Sequence, residues 1–518
     1  MGRRALFCEY LKKYLQLFQI CCILKADNYD MEKEGLLMKR SATMLLAILM
    51  TASLLASCGG GETETAADTA AAVETTAETE TELTHGLGTY DFGGVDYVAM
   101  VRQEKMTHFD AEEYTGEPLN DSVYDRNTKV TEEFNVTLGF VPVVSDMKTF
   151  NEAISQSIMS QDQAYDIITP DYWWGSEVNG WFFNLTDIDV LALDQPWWCG
   201  GWNEAATVEG MLPGAVGWYT LDMISNMNVV FFNKDLYAAA GLDDTFGLDG
   251  LYNTVREGKW TMDLFRQMST TAAQDLNGDG EMTDADLYGS VSELQAGRAI
   301  LWSSGMELCR KEEDGTLVPT LTSEKNYDIF KMALSFYEDD SNLYTTDGGL
   351  ISRLFMGDQI MFNMKAVGDA VGYRDMEADF GIVPFPKYDD ETGYRSRNFG
   401  SSYFAIPITA KDTEMSAVVL EAQNFYSYRD VRPTYYDTIL KSKAARDEDT
   451  CEMLDLVMET CYIDPFFIYG TVLSGVADAP FNLVTSGKDT YMSKMESLAT
   501  SIDTKLQTLI EALQQTAQ

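Results

Sequence analysis

The spacing of apolar residues from about residue 88 onward predicts alternating strands and helices. Apolar runs rich in β-branched residues predict strands at 95–101, 136–144 and 165–168. Between them, apolar positions that recur about every 3.6 residues predict helices at 121–134 and 150–159. Strands and helices that alternate at this spacing are typical of a mainly parallel sheet covered by helices, so the sequence predicts an α/β fold.

Predicted strands and helices continue through the rest of the chain. Further strands are predicted at 228–232, 359–363, 380–383 and 403–408, and further helices at 233–240, 330–337, 351–355, 414–426 and 488–515. Thr261 is placed to cap another helix, with Trp260 and Phe265 at the two positions whose side chains pack together across a first helical turn.

The N-terminal residues have the order of a secretory signal. Lys39 and Arg40 precede the apolar run 42–55, and LASC follows at 55–58. This run is shorter than the roughly 20 residues that a membrane-spanning helix needs. Residues 58–87 are rich in Glu, Thr and Ala and poor in large apolar side chains, so we expect an acidic, disordered linker there.

The LASC sequence resembles the lipobox of bacterial lipoproteins. The resemblance implies that 38–57 is a lipoprotein signal peptide, that cleavage precedes Cys58, and that Cys58 carries the lipid. A plain signal peptide with a chance cysteine is the alternative. Met38 is then the expected start, and 1–37 is an upstream start artefact or, alternatively, an extra amphipathic helix. We expect a protein anchored by lipid to the extracellular face of the cell membrane.

Composition narrows the classes of function. The chain has 37 Lys and Arg against 82 Asp and Glu, a net charge of −45, which repels phosphate backbones and excludes a nucleic-acid partner. His85 and His108 are its two histidines, too few for a multi-histidine metal centre. Its eight cysteines contain no CxxC pair, so neither a zinc ribbon nor a disulfide scaffold is indicated. Carboxylate pairs such as Asp187 and Asp189 are expected by chance in so acidic a chain.

Four stretches, taken in order, resemble the extracellular solute-binding proteins of ABC importers, the sugar-binding family that includes maltose-binding protein. They are VTEEFNV at 130–136, AYDII at 164–168, VVFFNKDL at 229–236, and GDQIM at 357–361 with FGIVPFP at 380–386. The resemblance covers about residues 90–430 and rests on the order of these stretches. It implies the two-lobed type II fold of periplasmic binding proteins, with a hinge and a ligand cleft between the lobes.

The resemblance also implies where the lobes lie and what the protein does. Lobe one is expected at 88–222 and 362–428, and lobe two at 229–358 and 430–518, with crossovers near 222–228, 361–365 and 428–433. The expected function is capture of a carbohydrate, an oligosaccharide in particular, by a monomer that passes it to ABC permease subunits without catalysis. A peptide or polyol ligand, a secreted polysaccharide-acting enzyme and a surface adhesion protein stay open as alternatives.

The candidate ligand-binding residues follow strands or lie at the expected hinge. DYWW at 171–174 follows a predicted strand, where ligands bind in open α/β sheets, and in the resembled family this loop carries an aromatic residue that stacks on sugar. Plain packing, turn chemistry and helix capping are the competing interpretations. Trp197 and Trp198 are expected to fix a surface loop. The candidates are Tyr172, Trp173, Trp174, Asp222, Asn226, Asn363, Ser402 and Tyr403.

One further motif is independent of that resemblance. DLNGDGEMTDAD at 275–286 follows the spacing of the EF-hand calcium loop, with a glycine at the sharp turn. The oxygen ligands would come from Asp275, Asn277, Asp279, Glu281 (through its carbonyl) and Asp286. Aspartate is shorter than the usual glutamate at the last position. We predict a structural Ca²⁺, and a chance acidic loop is the alternative.

Overall fold

The computed structural model describes residues 83–436 and 448–515, which belong to one unit of the chain, Glu82–Gln518. The expected signal peptide, Cys58 and residues 58–82 of the expected linker lie outside the described residues. Within the described ranges, no helix is both long and apolar enough to cross a membrane.

The first sheet has three parallel strands in the order β2-β1-β3. They are β1 (Val95–Arg102), β2 (Val136–Val143) and β3 (Ile167–Ile168). The register sets Val95 beside Val136 and Ala99 beside Ile167. Because β1 is central, Tyr97, Ala99 and Met100 are fully buried. The three predicted strands are confirmed, although the third is shorter than expected.

The second sheet has five strands in the order β10-β4-β9-β5-β8. They are β4 (Asn228–Asn233), β5 (Tyr288–Ser292), β8 (Asn342–Tyr344), β9 (Ile360–Ala366) and β10 (Phe380–Val383). Strand β4 runs antiparallel to β9 and β10, whereas β5 runs parallel to β8 and β9. A mainly parallel arrangement is therefore right for the first sheet, while the second sheet is mixed.

This pairing corrects one expected lobe boundary. Residues 362–383 were assigned to lobe one, but β9 and β10 both pair with β4, at the start of the expected lobe two. The chain returns to the first sheet later, where Ser402 pairs with Asp171 and Ala405 with Ile168. These isolated bridges stand where a regular strand was expected at 403–408. The first crossover lies where expected, between helix Asp222–Ser225 and β4.

Helices cover the predicted segments and several others. In chain order they are α1 (Met106–Phe109), α2 (Pro118–Phe134), α3 (Met147–Ser160), α4 (Gly200–Ala206), α5 (Asp222–Ser225), α6 (Lys234–Ala239), α7 (Leu242–Phe246), α8 (Leu251–Arg256), α9 (Met262–Ala272), α10 (Leu294–Ser303), α11 (Glu324–Tyr337), α12 (Gly348–Met356), α13 (Thr413–Tyr426), α14 (Glu448–Glu459), α15 (Pro465–Ile468), α16 (Ala479–Thr485) and α17 (Tyr491–Gln515). Short 3₁₀ turns lie at Gln103–Lys105, Tyr172–Trp174, Ser176–Val178, Leu185–Asp187 and Val367–Tyr373, and a π-helical turn lies at Ser427–Val431.

Local signals explain several of these elements. The Thr261 side chain accepts a hydrogen bond from the Leu264 amide, and the Trp260 and Phe265 rings lie 5.4 Å apart, which confirms the predicted cap of α9. Helix α13 is buried at every position from Met415 to Tyr426, so it is a core helix. Two small strand pairs complete the fold: β6 (Cys309–Lys311) with β7 (Leu317–Pro319), and β11 (Ser396–Arg397) with β12 (Cys461–Tyr462).

Candidate functional site

Two of the predicted site residues, Asp222 and Ser402, lie together in a buried group of charges that we call the hinge cluster. Its members are Arg102, Lys105, Asp171, Asp222 and Ser402. Strands β1 and β3 are parallel, so their carboxyl ends meet at one edge of the sheet and bring Arg102 next to Asp171. Asp222 comes from helix α5, which directly precedes β4, the first strand of the second sheet along the chain.

Asp222 is the centre of this cluster. Its Oδ2 accepts hydrogen bonds from Arg102 Nη2 at 3.0 Å and from the amide and hydroxyl of Ser402, each at 2.9 Å. Its Oδ1 lies 2.5 Å from Lys105 Nζ. Arg102 also donates from Nη1 to Asp171 Oδ2 at 2.6 Å. Asp222 is fully buried, and the cluster ties four separate stretches of chain together at the crossover: 102–105, 171, 222 and 402.

The charges of the cluster stabilise one another against burial. Burial acts to raise the pKa of Asp222, but the positive charges of Lys105 and Arg102 outweigh it and hold that pKa well below its usual range. Burial acts to lower the pKa of Arg102, and Asp171 and Asp222 reverse that effect. Asp222 and Arg102 therefore both stay ionised at neutral pH.

The aromatic residues of the loop after β3 divide into packing and partly open positions. Tyr172 is buried, donates from its hydroxyl to the Gly214 carbonyl at 2.9 Å, and packs on Tyr403 at 4.6 Å between ring centroids. Trp174 is half-buried and lies 5.7 Å from the Arg102 guanidinium carbon. The side chain of Trp173 lies outside the described part of the chain.

The other predicted binding residues serve the fold in this structure. Tyr403 is fully buried. Asn363 is also fully buried within β9 and donates to the Tyr373 hydroxyl at 3.2 Å. Asn226 donates to the Gly400 carbonyl at 2.7 Å, which fastens the hinge to the returning chain. Among the predicted set, these three side chains face protein partners rather than an open surface.

A second feature was missed by sequence reasoning: a cavity of about 650 Å³ walled by indoles, which we call the aromatic cavity. Its lining residues are Trp198, Cys199, Gly200, Gly201, Trp202, Glu204, Ala205, Trp218, Met223, Glu307, Cys309, Arg310, Lys311, Met458, Glu459, Cys461, Tyr462, Ile463 and Pro465. Trp198 was expected to fix a surface loop, yet it meets Trp202 and Trp218 here. The spacing of 198 and 202 hinted at a shared helical face, but nothing in the sequence linked either residue to 218.

Close backbone packing places the indole of Trp198. Residue Trp198 pairs with Gly217 in an antiparallel bridge. A Cβ at Gly217 would lie 2.1 Å from Asn424 Oδ1 and 2.9 Å from the Trp198 ring, so only glycine fits there. Trp218 follows Gly217 in the chain, and the centre of its ring lies 4.6 Å from the Arg432 guanidinium carbon. The three indoles of the cavity, Trp198, Trp202 and Trp218, are each less than a tenth exposed, so the surrounding protein holds them in place.

The aromatic cavity lies between two parts of the chain. One side comes from residues 198–218, which join the first sheet through the bridge between Ala215 and Phe404. The other side comes from residues 307–311 and 458–465. Lys311 donates from Nζ to the Thr207 carbonyl at 2.9 Å, and the Tyr469 hydroxyl donates to the Ala206 carbonyl. These bonds join the two sides next to the C-terminal end of α4.

The segment 275–286, where a calcium loop is predicted, contains a series of turns closed by hydrogen bonds from backbone amides to side chains. Asp275 accepts hydrogen bonds from the amides of Gly278 and Gly280, Asn277 from that of Asp279, and Asp279 from that of Glu281. Asp286 is buried and accepts from the amides of Leu276 and Thr283. In the described ranges, no group of three or more acidic, cysteine or histidine side chains lies close enough to share a metal ion.

Comparisons with known proteins define the fold class. No protein-family model matches the chain, and no curated protein does. Among solved structures, the ABC substrate-binding protein from Listeria monocytogenes in complex with cycloalternan has a TM-score of 0.53 at 13% identity, covering 80% of this chain and 99% of its own. The chain thus has the two-lobed type II fold of ABC solute-binding proteins.

Two further structures agree with that assignment. The cyclic alpha-maltosyl-1,6-maltose binding protein from Arthrobacter globiformis has a TM-score of 0.53 at 15% identity, covering 80% of this chain and 99% of its own. UgpB from Mycobacterium tuberculosis, in complex with glycerophosphocholine, has a TM-score of 0.52 at 13% identity, covering 81% and 99%. At these identities the likeness establishes the fold.

Proposed function

We propose that the protein is an extracellular solute-binding protein that captures a carbohydrate, an oligosaccharide in particular, and delivers it to the permease subunits of an ABC importer. It acts as a monomer and performs no catalysis. The single observation that carries the proposal is the aromatic cavity, with its three indoles on one side and polar groups on both sides. The fold supports it, because the proteins of this fold described above include one in complex with cycloalternan and a cyclic alpha-maltosyl-1,6-maltose binding protein.

The chemistry of the cavity suits a sugar. An indole covers the CH-rich face of a pyranose ring, and the ring hydroxyls need hydrogen-bond partners once water is removed. Glu204 and Glu307 supply acceptors on opposite sides, and Arg310 supplies donors. A ligand that contacts both sides at once favours the closed arrangement of the lobes, which is how it would be retained.

Calorimetric titration of maltotriose, cellotriose, xylotriose and glycerophosphocholine into the full-length protein tests the proposal. At least one trisaccharide should bind, and chromatography should recover it unchanged. Trp198→Ala should weaken that binding by about 5- to 150-fold, if stacking contributes the ~1–3 kcal/mol measured for nucleobases. Trp181→Ala is the matched control, because Trp181 does not line the cavity. Binding of glycerophosphocholine alone would favour a polyol-type ligand, and released product would favour an enzyme.

The N-terminal expectations belong to the same proposal. A lipid on Cys58 and the expected 58–87 linker would hold the receptor beside its permease on the extracellular face of the membrane. Mass spectrometry of the protein isolated from membranes should show a diacylglyceryl group on an N-terminal Cys58. Cys58→Ser should release the protein into the medium. A Cys58 found unmodified in an exported protein would contradict the lipid anchor.

We also propose a structural Ca²⁺ in the 275–286 loop. Its support is the spacing of Asp275, Asn277 and Asp279 and the turns that these side chains already form. Binding would exchange the hydrogen bonds of Asp286 to the loop amides for the ion. Ca²⁺ at about ten times its Kd should raise the free energy of unfolding by about 1.4 kcal/mol. Identical urea curves in EGTA and in millimolar Ca²⁺ would contradict it.

A further inference from the structure

A buried carboxylate behind the aromatic cavity holds two adjacent indoles. Glu421 lies in the core helix α13 and is fully buried. Its Oε1 accepts a hydrogen bond from Trp197 Nε1 at 2.6 Å, and its Oε2 accepts one from Trp198 Nε1 at 2.9 Å. The amide of Ala192 donates to Oε2 as well, at 3.3 Å. One side chain therefore fastens both ends of the segment 192–198.

This carboxylate is stabilised by neutral donors. No lysine or arginine of the described ranges lies within ion-pair distance of Glu421, so its three N–H partners are what compensates for lost water. An aliphatic residue would be the ordinary choice in a helix this buried. A glutamate there needs a reason, and the two indole N–H groups supply it.

The two indoles differ in what they face. Trp198 lines the aromatic cavity, whereas Trp197 does not and instead packs edge-on against Phe425 at 5.2 Å. Residues 192–198 contain no helix or strand that could otherwise fix the indole of Trp198. Its orientation rests on the Glu421 hydrogen bond and on the contact with Gly217.

We propose that Glu421 is a positioning residue for the aromatic cavity: its carboxylate sets the orientation of the Trp198 indole, and through it ligand affinity, without touching the ligand. Glu421 itself is absent from the cavity lining. The statement about affinity rests on the proposed function, whereas the statement about orientation does not. A side chain locked before binding loses less rotational freedom when a ligand arrives.

The test uses full-length protein labelled with ¹⁵N-tryptophan, in which each indole N–H gives its own signal. Trp197→Phe and Trp198→Phe assign the two signals of interest. Glu421→Leu removes both acceptor oxygens, so neither indole N–H keeps its partner on α13. We expect the Trp198 signal to shift and its solvent exchange to accelerate about tenfold or more. Glu421→Asp, which keeps the charge but is one methylene shorter, provides a second variant if the leucine variant does not fold.

Affinity is measured on the same proteins with maltotriose, cellotriose and xylotriose. Glu421→Leu should weaken the binding of whichever trisaccharide binds by about fivefold or more. Trp197→Phe, which removes a partner of Glu421 but no cavity residue, should leave the Trp198 signal and the affinity unchanged. An unmoved Trp198 signal in both Glu421 variants would overturn the proposal. If no trisaccharide binds, the proposed function fails while the indole signals still decide the role of Glu421.

Discussion

The hinge cluster allows a stability prediction that can be worked from its geometry. Asp222→Asn keeps the size and shape of the side chain but removes its charge. Arg102 would retain Asp171, while Lys105, which lies 2.5 Å from Asp222 Oδ1, would lose its partner. Breaking a buried ion pair from one side costs about 3–5 kcal/mol. Because asparagine still accepts a hydrogen bond from Ser402, we expect the lower end, about 3 kcal/mol.

The assay is urea unfolding followed by near-UV circular dichroism. Asp489→Asn is the matched control: Asp489 pairs with Lys331 at 2.8 Å, but the two side chains are 41% and 47% exposed. An exposed pair is worth about 0–1 kcal/mol, so this control should change little. If Asp222→Asn costs no more than Asp489→Asn, the argument that the hinge cluster stabilises the crossover is refuted.

The pH dependence of the same pair of proteins has a definite sign. The pKa of Asp222 is lowered in the folded protein, so its contribution is complete above the unfolded value of 3.8 and is lost as pH falls toward the folded value. The difference between wild type and Asp222→Asn should therefore be constant above about pH 5 and shrink below about pH 4. In the double variant Lys105→Met, Asp222→Asn, part of the loss should be recovered, because no lysine is left there without its ion-pair partner.

Further predictions concern a buried acid, a contact across the cavity and a tight glycine. Burial raises the pKa of Glu177 from 4.5 to about 8, so the folded protein holds a proton that the unfolded chain releases. The contribution of Glu177 to stability is complete below pH 4.5 and is lost as pH rises toward 8. Relative to Glu177→Gln, wild type should lose about 2.5 kcal/mol between pH 5 and pH 7 in urea titrations, and a constant difference would contradict this. Lys311→Met removes a hydrogen bond between the two sides of the aromatic cavity. Small-angle scattering should therefore show a larger radius of gyration for the ligand-free variant than for the ligand-free wild type. An unchanged radius would contradict the idea that this hydrogen bond holds the two sides together. Gly214→Ala would place a Cβ 2.1 Å from the Tyr403 ring and should cost about 1–3 kcal/mol or more in a melting experiment, whereas Gly372→Ala, with open space around it, should cost almost nothing; equal costs would contradict the packing argument.

The elements of the fold were readable from the sequence where their patterns are long or their caps are specific. The apolar spacing of α2 and α13 and the Thr261 cap of α9 predict helices that the structure confirms. Strand pairing was harder, because β9 is buried on both faces and carries no signal for one sheet over the other. Its partner β4 lies more than a hundred residues away, and the expected lobe boundary was wrong for that reason.

The sequence analysis identified two of the five residues of the hinge cluster. Asp222 and Ser402 were predicted from the resemblance, and they do meet. Arg102 and Lys105 were missed, because a basic residue at the end of a strand is ordinary and the carboxylates that pair with them are distant in sequence. The same limit applies to the aromatic cavity, where indoles from residues 198–218 meet residues from 458–465. The sequence identifies residue types, but the function of these residues depends on which of them the fold brings into contact.

Two buried carboxylates illustrate how the fold separates two tasks. Asp222 is held by cations and fastens the crossover between the sheets, whereas Glu421 is held by neutral indole and amide donors and fastens the wall of the cavity. The two groups share no partner among the described residues, so their effects should be independent. Asp222→Asn should lower stability while the Trp198 signal stays in place, and Glu421→Leu should move that signal while the acid dependence attributed to Asp222 persists. A binding protein that closes around its ligand needs this separation, because the hinge must bend while the wall that meets the ligand keeps its shape.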